Sequence, residues 1–136
     1  MMIDWNELRN AAVEAMTMAY APYSGYPVGA AGLSEDGRIF TGCNVENAAY
    51  GVALCAECGM ISDLVRSGGG RLVAFTCVNG NGDFTVPCGR CRQLLWEHGG
   101  PDMEIEMPAG IMRMSDVLPY GFGPDDLDMV ERKNNG

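Results

Sequence analysis

Cys55-Ala56-Glu57-Cys58 and, further along, Pro87-Cys88-Gly89-Arg90-Cys91 are the stretches around which the rest of the chain is organised. Cys88 and Cys91 stand three apart, so one helical turn points both sulfurs the same way. Cys55 and Glu57 stand two apart and would diverge in mid-helix, but in a first turn both side chains can curl over the open helix end. This places Cys55, Cys88 and Cys91 at the meeting point of two helix N-termini, with Glu57 as an acid/base beside them. Zinc binds thiolates rather than thiols, and three thiolates around a dication leave a net negative charge. Two helix N-termini offset part of it, and Arg90 and Arg92, flanking Cys91, can offset more. Three protein ligands leave a fourth position for water, the catalytic arrangement, whereas four close the site. On spacing alone, two C-x-x-C pairs favour that closed alternative, a structural four-cysteine zinc that includes Cys58.

Composition sets the frame for this site. Of 136 residues, 20% are charged and 47% apolar, the balance of an ordinary globular chain with a core of its own. We expect a single domain over residues 1–126 and a polar tail over 127–136. Met1-Met2-Ile3-Asp4-Trp5 has no basic region followed by an apolar run, so no signal peptide is expected. No apolar stretch approaches membrane-spanning length. The six cysteines are expected to stay reduced, in the cytoplasm. A net charge of −9 with a single lysine, Lys133, is a poor match for a phosphate backbone. The expected partner is a small molecule, with neither nucleic acid nor membrane.

Periodicity gives an alternation of helices and strands. Asp4 and Glu7 read as a helix cap, followed by Trp5, Leu8, Ala12, Met16, Ala19 and Tyr20 at helical spacing, with Pro22 as the stop. Pro27 to Leu33 and Arg38 to Val45 read as two strands of a hairpin around Ser34-Glu35-Asp36-Gly37. Cys55 to Ser67 reads as a helix closed by Gly68-Gly69-Gly70, and Arg71 to Val78 as a buried strand. A second short helix runs from Cys88 to His98, a further strand from Met103 to Met107, and a helical turn from Ser115 to Leu118. Cys43 and Cys77 are expected to pack rather than bind metal, and His98, at a helix end, to be solvated or to face the helix dipole rather than to ligate zinc. The alternation implies a layered α/β sheet.

Beyond the thiols, the chain carries Y-S-G-Y-P-V-G-A-A from Tyr23, G-C-N-V-E-N-A-A-Y-G from Gly42, and R-Q at Arg92-Gln93. With C-A-E and P-C-G-R-C, these segments resemble the zinc-dependent nucleoside deaminases, most specifically the cytidine deaminases of the small homotetrameric type. The resemblance implies a three-layer α/β/α sandwich around a mixed five-stranded sheet and one zinc per subunit. It implies hydrolytic deamination of cytidine and 2′-deoxycytidine to the uridine counterparts and ammonia, within pyrimidine salvage. Carried over by position, Cys55, Cys88 and Cys91 match the zinc ligands and Glu57 the proton shuttle. Asn44 and Glu46 match the residues that hold the ribose hydroxyls, and Ala56 falls among the substrate-contacting positions. Tyr26 stands where the family usually has phenylalanine beside the pyrimidine ring, and Phe122 matches an aromatic residue lent to a neighbouring subunit's site. One departure is Cys58, where the family commonly has an arginine; Arg90 is the expected compensation for thiolate charge. The competing readings are a deaminase of another cytosine nucleoside, such as blasticidin S, and a non-enzymatic module with a four-cysteine zinc.

Overall fold

The computed structural model describes the backbone of residues 2–135 and side chains from 2 to 130. Its centre is a mixed five-stranded sheet in the order β2-β1-β3-β4-β5. The strands are β1 (Val28–Ser34), β2 (Ile39–Cys43), β3 (Leu72–Asn79), β4 (Glu104–Met107) and β5 (Gly110–Arg113). Only β3 and β4 pair in parallel. They are joined by α3 (Gly89–Gly99), as a parallel connection needs a crossover element. α2 (Ala56–Arg66) links β2 to β3 in the same way, and α1 (Trp5–Met16) precedes the sheet.

Three layers result, as expected for the α/β class. On one face, α2 and α3 close over Phe40, Met60, Leu64, Phe75, Leu95 and Ile105. On the other, α1 packs Leu8 and Ala12 against Ala31, Ala74 and Val78. Strand β1 is V-G-A-A-G-L-S, and its small residues let helices approach from both sides. A Cβ at Gly29 would meet the Ala12 carbonyl, and one at Gly42 the Ala56 carbonyl. Gly42 therefore allows the first turn of α2 to lie directly on β2.

The start of α1 matches its sequence signal, for Asp4 caps the helix by accepting from the Glu7 N–H at 3.1 Å. Its end does not. The helix stops at Met16 instead of running to Pro22, and Tyr20 leaves it to bridge Val45. That exchange of backbone bonds also explains why β2 ends at Cys43 rather than Val45. β5 adds a fifth strand where no strand is placed by residue in the sequence reading. The chain after Asp125 is helical too: α5 spans Pro124–Asn135, so the expected boundary between 126 and 127 falls inside a helix. Gly136, the end of the expected tail, lies outside the described residues. α4 (Met114–Val117) begins one residue before the expected helical turn.

Candidate active site

Two helix N-termini do meet, and cysteine caps both. Cys55 is the N-cap of α2 and Cys88 the N-cap of α3, each with extended backbone angles and no side-chain capping bond. Each thiol is thus left pointing off its helix end. Cys91, one turn into α3, is buried and faces the same point. The sulfurs of Cys55, Cys88 and Cys91 all lie within 4.8 Å of one another. Sulfurs around a tetrahedral zinc sit roughly 3.8 Å apart, given Zn–S of about 2.3 Å, so the donor set and its spacing fit that ion.

Cys58 is not in the cluster, and among the described residues no fourth ligand joins it. Its sulfur faces Arg90 instead, whose Nη2 lies 3.5 Å from Cys58 Sγ and 3.9 Å from Cys55 Sγ. The four-thiol alternative therefore does not match the geometry. Glu57 takes the inward direction in the first turn of α2 and is only 4% exposed. It leads the buried stripe Glu57, Met60, Ile61, Leu64.

The thiols differ electrostatically. Burial, and then the neighbouring Glu57 carboxylate, pushes the Cys91 thiol far above its ordinary value. Burial also raises Cys55, although a hydrogen bond with Cys91 opposes it. At Cys88 burial acts upward as well, but the Cys91 and Arg90 backbone amides and the neighbouring thiols outweigh it and hold this thiol below the usual range. Cys88 is thus the first thiolate, at the most exposed corner. A dication at the cluster overrides the rise at Cys55 and Cys91, because metal-ligating thiols are deprotonated.

A cavity of about 290 Å³ opens beside the cluster and is lined by Tyr26, Asn44, Glu46, Ala56, Glu57 and Cys88, together with Cys77, Thr85 and Val86. Asn44 holds the start of β1: its Oδ1 accepts from the Val28 N–H at 2.8 Å and its Nδ2 donates to the Tyr26 carbonyl at 3.0 Å. Glu46 accepts from the backbone N–H groups of Tyr23 and Ser24 and from the Ser24 hydroxyl. That hydroxyl, more than any other group, holds the Glu46 carboxyl below its ordinary value. Both side chains are therefore fixed by backbone bonds while one side of each faces the cavity.

The structure separates the remaining sequence candidates. Phe122 lies outside the cavity of its own chain and is half-exposed; its carbonyl accepts from Gln93 Nε2 at 2.7 Å. Arg92 turns away from the sulfurs, with Nε donating to the Pro87 carbonyl at 2.9 Å and Nη1 to the Val117 carbonyl at 3.3 Å. It holds the loop before Cys88 rather than touching a thiol. Cys77 packs in the core as expected, donating to the Thr85 carbonyl at 3.2 Å, but it also reaches the cavity wall. Sequence reasoning missed Cys77, Thr85 and Val86 as lining residues. For Cys77 the usable signal was the odd-numbered face of β3, on which Phe75 and Cys77 point toward α2 and α3.

A family model described as the cytidine and deoxycytidylate deaminase zinc-binding region matches residues 2–107. The chain belongs to this family. A cytidine deaminase of Mycobacterium tuberculosis is 53% identical over 130 residues, covering 96% of this chain and 98% of that protein. Among solved structures, cytidine deaminase from Mycobacterium leprae matches with 60% identity and a TM-score of 0.86, covering 88% of this chain and all of that one. The M. tuberculosis enzyme matches at 53% identity and a TM-score of 0.87, covering 90% and 99%. The family's zinc-binding region and the three-thiol cluster together fit one zinc per chain.

Proposed function

We propose that this chain hydrolyses the 4-amino group of cytidine and 2′-deoxycytidine, releasing ammonia and the corresponding uridine nucleoside. The observation that carries the reading is the convergence of a buried carboxylate, Glu57, with three thiol sulfurs at one end of a cavity that also contains Asn44 and Glu46. When bound, zinc supplies Lewis acidity that lets water ionise near neutral pH. Glu57 accepts one proton of the attacking water and passes it to ring N3, so that C4 becomes electrophilic; it then takes the remaining proton from the hydroxyl added at C4 and gives it to the departing amine, leaving the C4 carbonyl and ammonia. Its burial beside the sulfurs suits a group that moves protons without bulk solvent. The Asn44 amide and Glu46 carboxylate bind the ribose hydroxyls, a donor and an acceptor already held in place by backbone bonds. Tyr26 and Ala56 line the pyrimidine side.

Arg90 tempers the charge of the thiolates in the place of the arginine that Cys58 replaces. The half-exposed Phe122, outside its own chain's cavity, supports an assembly in which it completes a neighbour's site, and a homotetramer is the assembly we propose. The free state of all six cysteines and the net charge of −9 support a cytoplasmic enzyme of pyrimidine salvage acting on nucleosides rather than nucleic acid.

The test is the ultraviolet change on converting cytidine to uridine by zinc-loaded protein. Glu57→Gln is expected to keep zinc and to lose turnover by a factor on the order of 10³. A variant with near-parental rate would refute the role of Glu57, and no conversion by the zinc-loaded parent would refute the substrate.

A further inference from the structure

Arg9 and Glu106 form an ion pair on the sheet face opposite α2 and α3. Glu106 projects from β4 onto the α1 face of the sheet and is only 6% exposed. It accepts from Arg9 Nη2 at 2.7 Å and from Thr76 Oγ1 at 2.9 Å. With Glu106 buried and the Arg9 side chain 33% exposed, the desolvation of the carboxylate offsets much of the Coulombic gain, so the pair is a poor source of stability. Arg9 Nε is moreover buried without a partner, an added cost. The arrangement makes sense through what Arg9 touches next. Its guanidinium carbon lies 4.6 Å from the centre of the Phe84 ring, a cation–π contact that strengthens when desolvated.

Phe84 belongs to the connection between β3 and α3. Its turn is closed on Asn79, which accepts from the Gly82 N–H and donates to the Asp83 carbonyl, both at 2.9 Å, with Gly82 at φ +77°. Its far end lies along β3: Phe84 bridges Val78, the Thr85 N–H donates to the Cys77 carbonyl at 3.1 Å, the Cys77 thiol donates to the Thr85 carbonyl, and Arg92 Nε holds the Pro87 carbonyl. Directly beyond Phe84, Thr85 and Val86 form part of the cavity wall. Thr85 Oγ1 lies 3.4 Å from the Tyr26 hydroxyl, so the same wall meets the opposite side of the cavity.

We infer that Arg9 and Glu106 are positioning residues for the substrate cavity: Arg9, held by Glu106, packs on Phe84 from behind and thereby sets Thr85 and Val86 in place. The inference rests on the deaminase reading for its kinetic consequence, but the loop's order can be read without substrate. The informative change is Arg9→Met with Glu106→Gln, which removes both charges at similar volume and strands neither. Phe84→Ala removes the contact from the other side.

Both variants are measured as zinc-loaded protein against the parent. Each is expected to raise KM for cytidine about tenfold while leaving kcat and zinc content within about twofold, and the combination is expected to go no further, since both act through one ring. Without substrate, amide hydrogen exchange over residues 83–86 is expected to quicken in the neutral variant while α1 and β3 keep parental protection. Unchanged exchange there overturns the inference. So does a uniform loss of protection, which marks the pair as merely stabilising, and so does quickened exchange with an unchanged KM. A parent that ignores cytidine overturns the substrate reading instead, and the exchange result then decides the positioning role alone.

Discussion

The first turns of α2 and α3 carry the same C-x-x-C spacing in the same helical frame, yet contribute differently to the site. In α3 the N-cap Cys88 and Cys91 both enter the sulfur cluster; in α2 only the N-cap Cys55 does, and Cys58 turns to Arg90. The apolar stripe of each helix accounts for the difference. In α3, Cys91 and Leu95 share the buried side, so the third residue after the cap points inward. In α2 the buried side runs Glu57, Met60, Ile61, Leu64, so the second residue after the cap points inward and Cys58 falls beside it. Spacing alone suggests four ligands, whereas the phase of the stripe selects three and a carboxylate. That rotation of one helix relative to the other leaves Cys58 out of the sulfur cluster and brings the buried Glu57 inward.

The largest effect that would break this contrast is loss of the inward sulfur of α3. Cys91→Ser is expected to lower zinc affinity, read by metal titration, by more than the roughly 10–100-fold that outer-shell changes cost, and to abolish turnover with it. Retained stoichiometric zinc in that variant would mean that Cys58 can substitute. A smaller effect is expected of Arg90→Ala: turnover falls about fivefold with zinc content unchanged, because an exposed charge contact tunes the site without building it. Equal activity of variant and parent would remove Arg90 from the account. The smallest belongs to Cys58→Ser, expected to keep one zinc per chain and turnover within about twofold, as for a substitution outside the core. A loss of zinc there as large as in Cys91→Ser would erase the difference between the two helices.

Much of this was legible in the sequence because strong local signals and long-range needs agreed. Asp4 and the thiol caps mark three helix starts, the apolar runs of β1 and β3 mark buried strands, and the family resemblance, rather than spacing, singles out Cys55, Cys88 and Cys91 with Glu57. Where tertiary contacts decide, legibility ends. β5 has four residues, three of them exposed, and exists because it pairs with β4. α1 stops at Met16 because Tyr20 is drawn to Val45, not because a breaker is reached. The helicity of α5 is masked by its polar composition. Arg92 looks equivalent to Arg90 in sequence, but its direction one position further along α3 commits it to the Pro87 and Val117 carbonyls. Thr85 and Val86 have no motif of their own; they line the cavity because the segment from Phe84 to Pro87 folds back along β3.

The most direct test of the central claim is X-ray absorption at the zinc edge of the fully loaded parent protein. Three sulfur scatterers and one oxygen or nitrogen in the first shell are the result predicted by an open site built from Cys55, Cys88 and Cys91. Four sulfur scatterers, falling to three in Cys58→Ser, would contradict it and make the centre a closed structural zinc.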